Sequence, residues 1–176
     1  MSLTDFLRCL LGTDRLYPWI EPPKLHLRTC LVEVSLLAPH EDIDREHLNL
    51  IEEDITRSNY VKYPLVVDVR TFIVLDGHHR LEALKELGFR YVPVFFVDYA
   101  ENYVDVYPFR KDVKVSKSSV VYKVLAERSL YPPKTTRHIY QGISILSTFT
   151  PLQLLEAPHR YSSTLLIAPN IVCYGW

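Results

Sequence analysis

The sequence predicts an α/β (α+β) domain in which helices flank a mixed β-sheet. Runs of β-branched and aromatic residues alternate with stretches of helical periodicity, but without the regular strand–helix–strand rhythm of a parallel sheet. The 176 residues are 48% hydrophobic and 12% aromatic, a composition typical of globular proteins with a buried core. We therefore expect one domain over 1–176.

The first elements are predicted to be a helix, a strand and a second helix. The apolar stretch at 3–11 contains Arg8 and predicts a surface helix, which a proline-punctuated connection at 18–23 follows. Residues 30–37 alternate in polarity, which predicts a strand. Residues 43–57 carry charges around an apolar stripe and predict an amphipathic helix. The inward side chains of this helix are Leu48, Ile51 and Ile55.

The middle of the chain predicts two strands, a helix and two further strands. β-branched runs at 64–70 and 71–75 indicate strands joined by a tight turn near Arg70. A helix follows the Asp-Gly pair at 76–77, and Gly88 stands where helices commonly end in a left-handed residue. Three later elements complete the prediction: strands at 91–99 and 103–107, and a helix at 117–128 with Val121, Val124 and Leu125 inward.

The charge and the cysteines restrict the possible partners. Lysine and arginine total 20 and aspartate and glutamate 21, and this net charge of -1 argues against a nucleic-acid partner. Cys9, Cys30 and Cys173 form no CxxC pair, so we expect reduced thiols rather than a disulfide or a zinc site. No apolar run of about 18 residues and no signal-peptide cleavage pattern occurs, so we expect a cytoplasmic protein without a membrane partner.

The segment DGHHR at 76–80 is the strongest candidate for a chemical site. It joins a strand to a helix, and the first N–H groups of a helix lack intrahelical partners and carry partial positive charge. Gly77 allows a close backbone approach, and His78, His79 and Arg80 add donors, as a phosphate site requires. Alternatively, one histidine caps the helix, the other lies in the core, and Arg80 pairs with a surface carboxylate. Adjacent side chains leave a helix in different directions, which argues against a metal shared by the histidines.

Common enzyme signatures are missing from the sequence. It contains no GxxxxGK(S/T) phosphate loop, no GxGxxG after a strand, and none of the HExxH, GxSxG or zinc-deaminase patterns. The site at 76–80 must therefore be interpreted without them.

Three segments in this order resemble the archaeal free L-serine kinases of the ParB/sulfiredoxin-like superfamily. They are APHE at 38–41, LDGHHR at 75–80 and PKTTRH at 133–138. The resemblance covers roughly 28–145, which implies a domain core at about 28–145 with an N-terminal helix and an apolar C-terminal tail appended to it. Sulfiredoxin carries a catalytic cysteine where this chain has His78, so the resemblance does not extend to repair of cysteine sulfinic acid.

The resemblance implies phosphoryl transfer from a nucleotide, ADP or ATP, to the hydroxyl of free L-serine, with Mg²⁺ as cofactor. It assigns the role of catalytic base to Glu41. Asp76 is a second catalytic candidate, as a Mg²⁺ ligand or as the residue that orients the turn. The phosphate-binding residues are then Gly77, His78, His79 and Arg80, and the substrate-binding residues are Lys134, Thr135, Thr136, Arg137 and His138. The sequence indicates neither which nucleotide is used nor the oligomeric state.

Each of these roles has a simpler alternative. Glu41 could be a carboxylate favoured only by a helix dipole, and Asp76 could form an Asx turn before Gly77. The segment 134–138 could be a solvated basic loop. At the level of the whole protein, the alternatives are a kinase for another small hydroxyl compound and a non-catalytic nucleotide-binding module that regulates a partner.

Overall fold

The computed structural model describes residues 2–3, 5–6, 22–158, 164–168 and 170–174. Most of the helix predicted at 3–11, and most of the connection predicted at 18–23, lie outside these residues. The described elements, in chain order, are α1 (Pro22–Leu25), β1 (Thr29–Glu33), β2 (Ala38–Pro39), α2 (Arg45–Ser58), β3 (Tyr60–Val61), β4 (Leu65–Asp68), β5 (Ile73–Asp76), α3 (His78–Glu86), β6 (Tyr91–Val97), β7 (Val104–Pro108), α4 (Lys117–Leu125), β8 (Thr136–Tyr140), β9 (Thr150–Pro151), α5 (Leu152–Glu156), β10 (Thr164–Ala168) and β11 (Ile171–Tyr174).

Seven of the described strands form one mixed sheet in the order β10-β11-β1-β6-β4-β5-β2. β4 is parallel to β6 and β2 is parallel to β5, whereas the other neighbours are antiparallel. β3 pairs with β9, and β7 pairs with β8, each antiparallel. The prediction of a mixed sheet flanked by helices is therefore confirmed.

The sheet separates two apolar clusters. Successive side chains of a strand point to opposite faces, so Val67 and Val74 enter one cluster while Val66 and Ile73 enter the other. α2 and α3 cover the first cluster, and α4 covers the second. The buried side chains that these helices supply are Leu48, Ile55, Leu81, Leu84, Val120 and Val121.

Local signals in the sequence set several element boundaries. Asp44 caps α2, because its carboxylate accepts hydrogen bonds from the N–H groups of Glu46 and His47. α3 ends as predicted: Gly88 has φ 87°, and the N–H of Phe89 donates to the carbonyl of Leu84. The paired strands β4 and β5 are joined by a turn that includes Arg70, also as predicted.

Two expectations about this part of the fold are wrong. β1 ends at Glu33 and a 3₁₀ helix covers Val34–Leu36, so the predicted strand at 30–37 is shorter. Cys30 and Cys173 form a disulfide, although we expected reduced thiols. They face each other in the antiparallel pair β1–β11, a contact between residues 143 positions apart that the sequence does not reveal.

The segment that the sequence predicts to be an appended C-terminal tail contains two strands of the sheet. β11 pairs with β1, and β10 pairs with β11 at the edge. The division of the chain into one domain stays a prediction. Among the described residues, no helix is long and apolar enough to cross a bilayer.

Candidate active site

Three segments that are distant in the sequence meet at one end of the sheet. The first is the turn from β5 through Gly77 into α3, and the second is the loop after β2. The third is the segment before β8, which joins the second by backbone hydrogen bonds. The N–H of Tyr131 donates to the carbonyl of His40 at 2.8 Å, and the N–H of Asp42 donates to the carbonyl of Tyr131 at 2.8 Å. Because β2 is parallel to β5, the C-terminal residues of both strands lie at the same end of the sheet.

These segments surround a pocket of about 390 Å³. Its lining residues are Glu41, His47, Leu75, Asp76, His78, His79, Phe109, Lys134, Thr136, Arg137 and His138. Most of the residues predicted from the sequence are therefore brought together. Gly77, Arg80 and Thr135 do not line this pocket.

Gly77 shapes the turn at the start of α3. Its φ is 96°, a conformation that L side chains rarely adopt. A Cβ at this position would lie 2.9 Å from Nη2 of Arg80 and 3.1 Å from Cγ of Leu65, so the space is already filled. The backbone can therefore enter α3 this tightly because residue 77 is glycine.

The two histidines that follow Gly77 point in different directions. His78 is buried, and its Nε2 lies 3.3 Å from the backbone N of His40, which donates to it. His79 accepts a hydrogen bond at Nε2 from the backbone N–H of Asp44, at 2.9 Å. His78 therefore agrees with the alternative in which one of the two histidines lies in the core. His79 does not cap its own helix, as that alternative requires, but binds the backbone just before α2.

Glu41 is held with one carboxylate oxygen bound and the other free of hydrogen bonds from described residues. Oε1 accepts from both the backbone N–H and the hydroxyl of Thr136, each at 2.5 Å. The side chain is 10% exposed and lines the pocket. α2 begins only at Arg45, and its capping carboxylate is that of Asp44. This geometry does not favour the alternative in which Glu41 merely complements a helix dipole.

Below Glu41 lies a cluster of buried histidines. The ring of His40 packs edge-on against those of His78 and His138, with centroids 4.5 and 5.4 Å apart. Burial lowers the pKa of His40 and lowers the pKa of His78 well below its usual value. Burial also lowers the pKa of His138 to about 3, and Nε2 of this histidine lies 2.9 Å from the hydroxyl of Tyr99. The floor of the pocket is therefore uncharged imidazole.

Asp76 and Arg80 lie side by side at the edge of the pocket. The Asp76 carboxylate is 62% exposed and lies 3.4 Å from Nη2 of Arg80. Nη1 of Arg80 donates to the carbonyls of Tyr63 and Pro64, at 3.0 and 3.1 Å. The Arg80 guanidinium therefore faces a neighbouring cavity of about 480 Å³ that Asp76 also lines.

All residues of the segment 134–138 except Thr135 line the pocket. Lys134 and Arg137 are exposed, line the pocket, and make no ion pair with any described residue. Thr135 is buried and its hydroxyl donates to the carbonyl of Pro132, at 2.6 Å, so it stabilises the turn. Thr136 and His138 are partly buried and line the floor of the pocket. Thr136 contacts Glu41, and His138 contacts Tyr99.

Sequence reasoning missed three residues of this site. Phe109 lines the pocket although it is 63% exposed, and its backbone N–H donates to the carbonyl of Thr135. His47, at the start of α2, packs edge-on against His79. His40 precedes Glu41 in the APHE motif, which was the available signal, whereas nothing local marks Phe109 or His47.

Two carboxylates, those of Glu41 and Asp76, and two cations, Lys134 and Arg137, line the pocket. No group of three or more His, Cys, Asp or Glu side chains that could hold a metal ion occurs among the described residues. Exposed Asp76 beside the start of α3 fits the usual binding of Mg²⁺, by one or two carboxylates together with substrate phosphates.

Comparisons with known proteins find similarity to L-serine kinases. No family model matches the sequence. An ATP-dependent L-serine kinase of Staphylothermus marinus is 36% identical over 86 residues, which are 47% of this chain and 34% of that protein. An ADP-dependent L-serine kinase of Thermococcus kodakarensis is 25% identical over 121 residues, 66% of this chain and 50% of that protein. A solved structure of a free serine kinase in complex with AMP has a TM-score of 0.59 at 17% identity, and the match covers 74% of this chain and 94% of that one.

The predicted resemblance to the archaeal L-serine kinases is thus confirmed, and the fold is that of the free serine kinase structure. The chain spans about a third of the length of the first curated relatives it matches.

Proposed function

We propose that this chain is a free L-serine kinase, which transfers a phosphoryl group from ADP or ATP to the L-serine hydroxyl and yields O-phospho-L-serine. One observation carries the proposal: the Glu41 carboxylate and the start of α3 line the same 390 Å³ pocket. Phosphoryl transfer requires a base near the acceptor hydroxyl and donors around the phosphate oxygens. This pocket supplies both.

The phosphates of the nucleotide bind at the start of α3. The N–H groups of His78, His79 and Arg80 are the first of that helix, and the partial positive charge there attracts anions. Mg²⁺, bound by Asp76 and phosphate oxygens, would neutralise further negative charge. Arg80 supports this site from beneath the Gly77 turn, since two carbonyls already occupy its guanidinium.

Glu41 acts as the general base on the serine hydroxyl. Its Oε2 accepts no hydrogen bond from described residues, and Thr136 holds Oε1, so the carboxylate is oriented with one oxygen available. General-base assistance contributes roughly 10²–10⁴-fold to rate. Lys134 and Arg137 bind the serine carboxylate or the transferred phosphate, because they are the exposed cations of the pocket.

The test of this proposal is incubation of the chain with L-serine, Mg²⁺ and either ADP or ATP, followed by mass spectrometry for phosphoserine. Both nucleotides are needed because the relatives named above differ in their donor. Other free amino acids and polyols in the same assay separate a serine kinase from a kinase of another small hydroxyl compound. Nucleotide binding without any phosphorylated product would favour the regulatory module instead.

The substitution Glu41→Gln should abolish phosphoserine formation and leave nucleotide affinity within a few-fold of wild type. The amide keeps the size of the side chain but cannot accept the hydroxyl proton. Calorimetric titration with nucleotide and the phosphoserine assay measure the two effects, and Glu53→Gln on the exposed face of α2 is the matched control. Loss of nucleotide binding in Glu41→Gln would instead make Glu41 a ligand or scaffold residue.

A further inference from the structure

The hydrogen bonds beneath Glu41 form a continuous chain of three side chains. Thr136 Oγ1 lies 2.5 Å from Oε1 of Glu41 and 2.7 Å from Nε2 of His40. The other ring nitrogen of His40, Nδ1, lies 2.7 Å from the carbonyl oxygen of Val74. The chain therefore runs from a buried carbonyl to the carboxylate that lines the pocket, and His40 is fully buried in its middle.

The tautomers of the histidines follow from fixed groups. A carbonyl oxygen only accepts hydrogen bonds, so Nδ1 of His40 carries a proton toward Val74. A backbone N–H only donates, so Nε2 of His78 accepts from His40 and carries no proton. In the neutral ring, Nε2 of His40 is consequently an acceptor that faces Thr136.

With Glu41 ionised and His40 neutral, this chain lacks one proton. The Thr136 hydroxyl has a single hydrogen and can donate either to Glu41 or to His40, which leaves two acceptors facing each other at 2.5 or 2.7 Å. One added proton, on Oε1 of Glu41 or on Nε2 of His40, satisfies every contact of the chain.

We propose that His40 is a positioning residue and proton acceptor that shares one proton with Glu41 through the hydroxyl of Thr136. This inference rests on the proposed function in that the proton comes from the serine hydroxyl. As the serine oxygen bonds to phosphorus, the bond to the leaving nucleotide breaks and the hydroxyl proton passes to Glu41. The proton arrives on Oε2, the oxygen that accepts no hydrogen bond from described residues, so the carboxyl group must turn about its Cγ–Cδ bond to present the protonated oxygen to Thr136. It then passes this proton to Thr136 Oγ1, and Thr136 gives its own to Nε2 of His40. Glu41 is again a carboxylate and His40 is an imidazolium, which returns the proton by the same path after the product leaves.

The surroundings of His40 allow this charge only transiently. His78 from α3 and His138 from β8 pack against the ring, Tyr131 lies edge-on, and the carboxylates of Glu41 and Asp76 favour the imidazolium. Burial opposes the charge, because it lowers the pKa of His40. His40 is thus neutral at rest and is placed to hold a proton during turnover.

The test uses the full chain labelled with ¹⁵N-histidine, without nucleotide or metal, and follows the His40 ring by NMR as the pH is lowered. Loss of one signal in His40→Gln assigns the ring. Thr136→Val removes the hydroxyl but keeps the backbone N–H and the volume, and Thr136→Ser is the matched control that keeps the hydroxyl. We expect the His40 midpoint to move to lower pH by about one unit in Thr136→Val and in Glu41→Gln, and to stay in Thr136→Ser.

The same variants are assayed for phosphoserine. Thr136→Val should lower kcat about tenfold with the KM for nucleotide within about threefold, and should shift the acid limb of the kcat–pH profile. An unchanged His40 midpoint in Thr136→Val would overturn the shared proton, because that substitution leaves the charge of Glu41 in place; if the valine variant does not fold, Thr136→Ala takes its place. A wild-type chain that makes no phosphoserine but shows the His40 shifts would refute the kinase proposal and support the proton chain.

Discussion

The protonation states of individual residues in the pocket are set by burial. His40, His78 and His138 lie in an apolar environment that disfavours their charged forms, and each has a lowered pKa. The carboxylate of Glu41 is therefore not surrounded by cations below the pocket; the cations Lys134 and Arg137 lie at its exposed rim. This arrangement separates the Glu41 carboxylate from the exposed cations of the pocket.

The buried histidines predict a pH dependence of stability. The pKa of His138 is about 3 in the folded protein against about 6.5 when unfolded, so the unfolded chain binds more protons between these values. The free energy of unfolding should therefore decrease as the pH falls below about 6.5, by at most about 1.4 kcal/mol per pH unit for each such histidine.

Urea denaturation between about pH 7.5 and about pH 4.5 measures this slope. His138→Gln should make it shallower, and His47→Gln, at an exposed position on α2, is the control. A slope that is the same in wild type and His138→Gln would contradict the assignment.

At the scale of elements, the strand–turn–helix unit β5–Gly77–α3 depends on the absence of a side chain at Gly77. Gly77→Ala must accommodate both a φ of 96° and a Cβ within 3.1 Å of Leu65, whereas Gly88→Ala meets only a φ of 87° and open space. We expect about 1–2 kcal/mol of destabilisation at Gly88 from conformation alone, and about 1–3 kcal/mol more at Gly77 from the contacts. Urea denaturation measures both, and nucleotide affinity should fall only in Gly77→Ala. Equal losses of stability would show that the contacts at Gly77 are relieved without cost.

Arg80 connects the same helix to the chain before β4. Arg80→Ala leaves the carbonyls of Tyr63 and Pro64 without their donor, which should cost about 1–3 kcal/mol of stability. Nucleotide affinity should also weaken, because the Gly77 turn packs on the guanidinium. Denaturation and nucleotide titration of Arg80→Ala and Arg80→Lys separate the two effects. An unchanged affinity for nucleotide in Arg80→Ala would remove Arg80 from the phosphate site.

At the scale of the whole molecule, the disulfide and the last strands tie the C-terminal part of the described chain to the centre of the sheet. Cys173 in β11 is bonded to Cys30 in β1, and β1 in turn pairs with β6. A cross-link between residues 143 positions apart restricts the unfolded chain strongly. β10 and β11 are therefore coupled through β1 to the sheet whose strands β2 and β5 lead into the pocket.

Loss of the disulfide should destabilise the fold by about 2–5 kcal/mol. A reductant should lower the Tm of the wild type and leave the Tm of the double variant Cys30→Ser, Cys173→Ser unchanged, as measured by differential scanning calorimetry. A wild-type Tm that is insensitive to reductant would contradict a stabilising role for this bond.

The sequence by itself determined the elements whose signals are local. Residues close together in the chain form these signals. The apolar stripe predicted α2, the β-branched runs predicted β4 and β5, and Gly88 predicted the end of α3. The same holds for the DGHHR turn, since a strand, a glycine and a helix start are adjacent in sequence.

The tertiary structure alone decided which distant groups meet. Thr136 reaches Glu41 across 95 residues and His40 across 96, and Cys30 bonds to Cys173, none of which leaves a local pattern. It also decided the direction of Arg80, which a neighbouring loop fixes by hydrogen bonds. Packing and hydrogen bonding between remote segments choose among partners that the local sequence leaves equivalent. For that reason Glu41, the start of α3 and the hydrogen bonds from Thr136 to Glu41 and His40 lie together at one pocket.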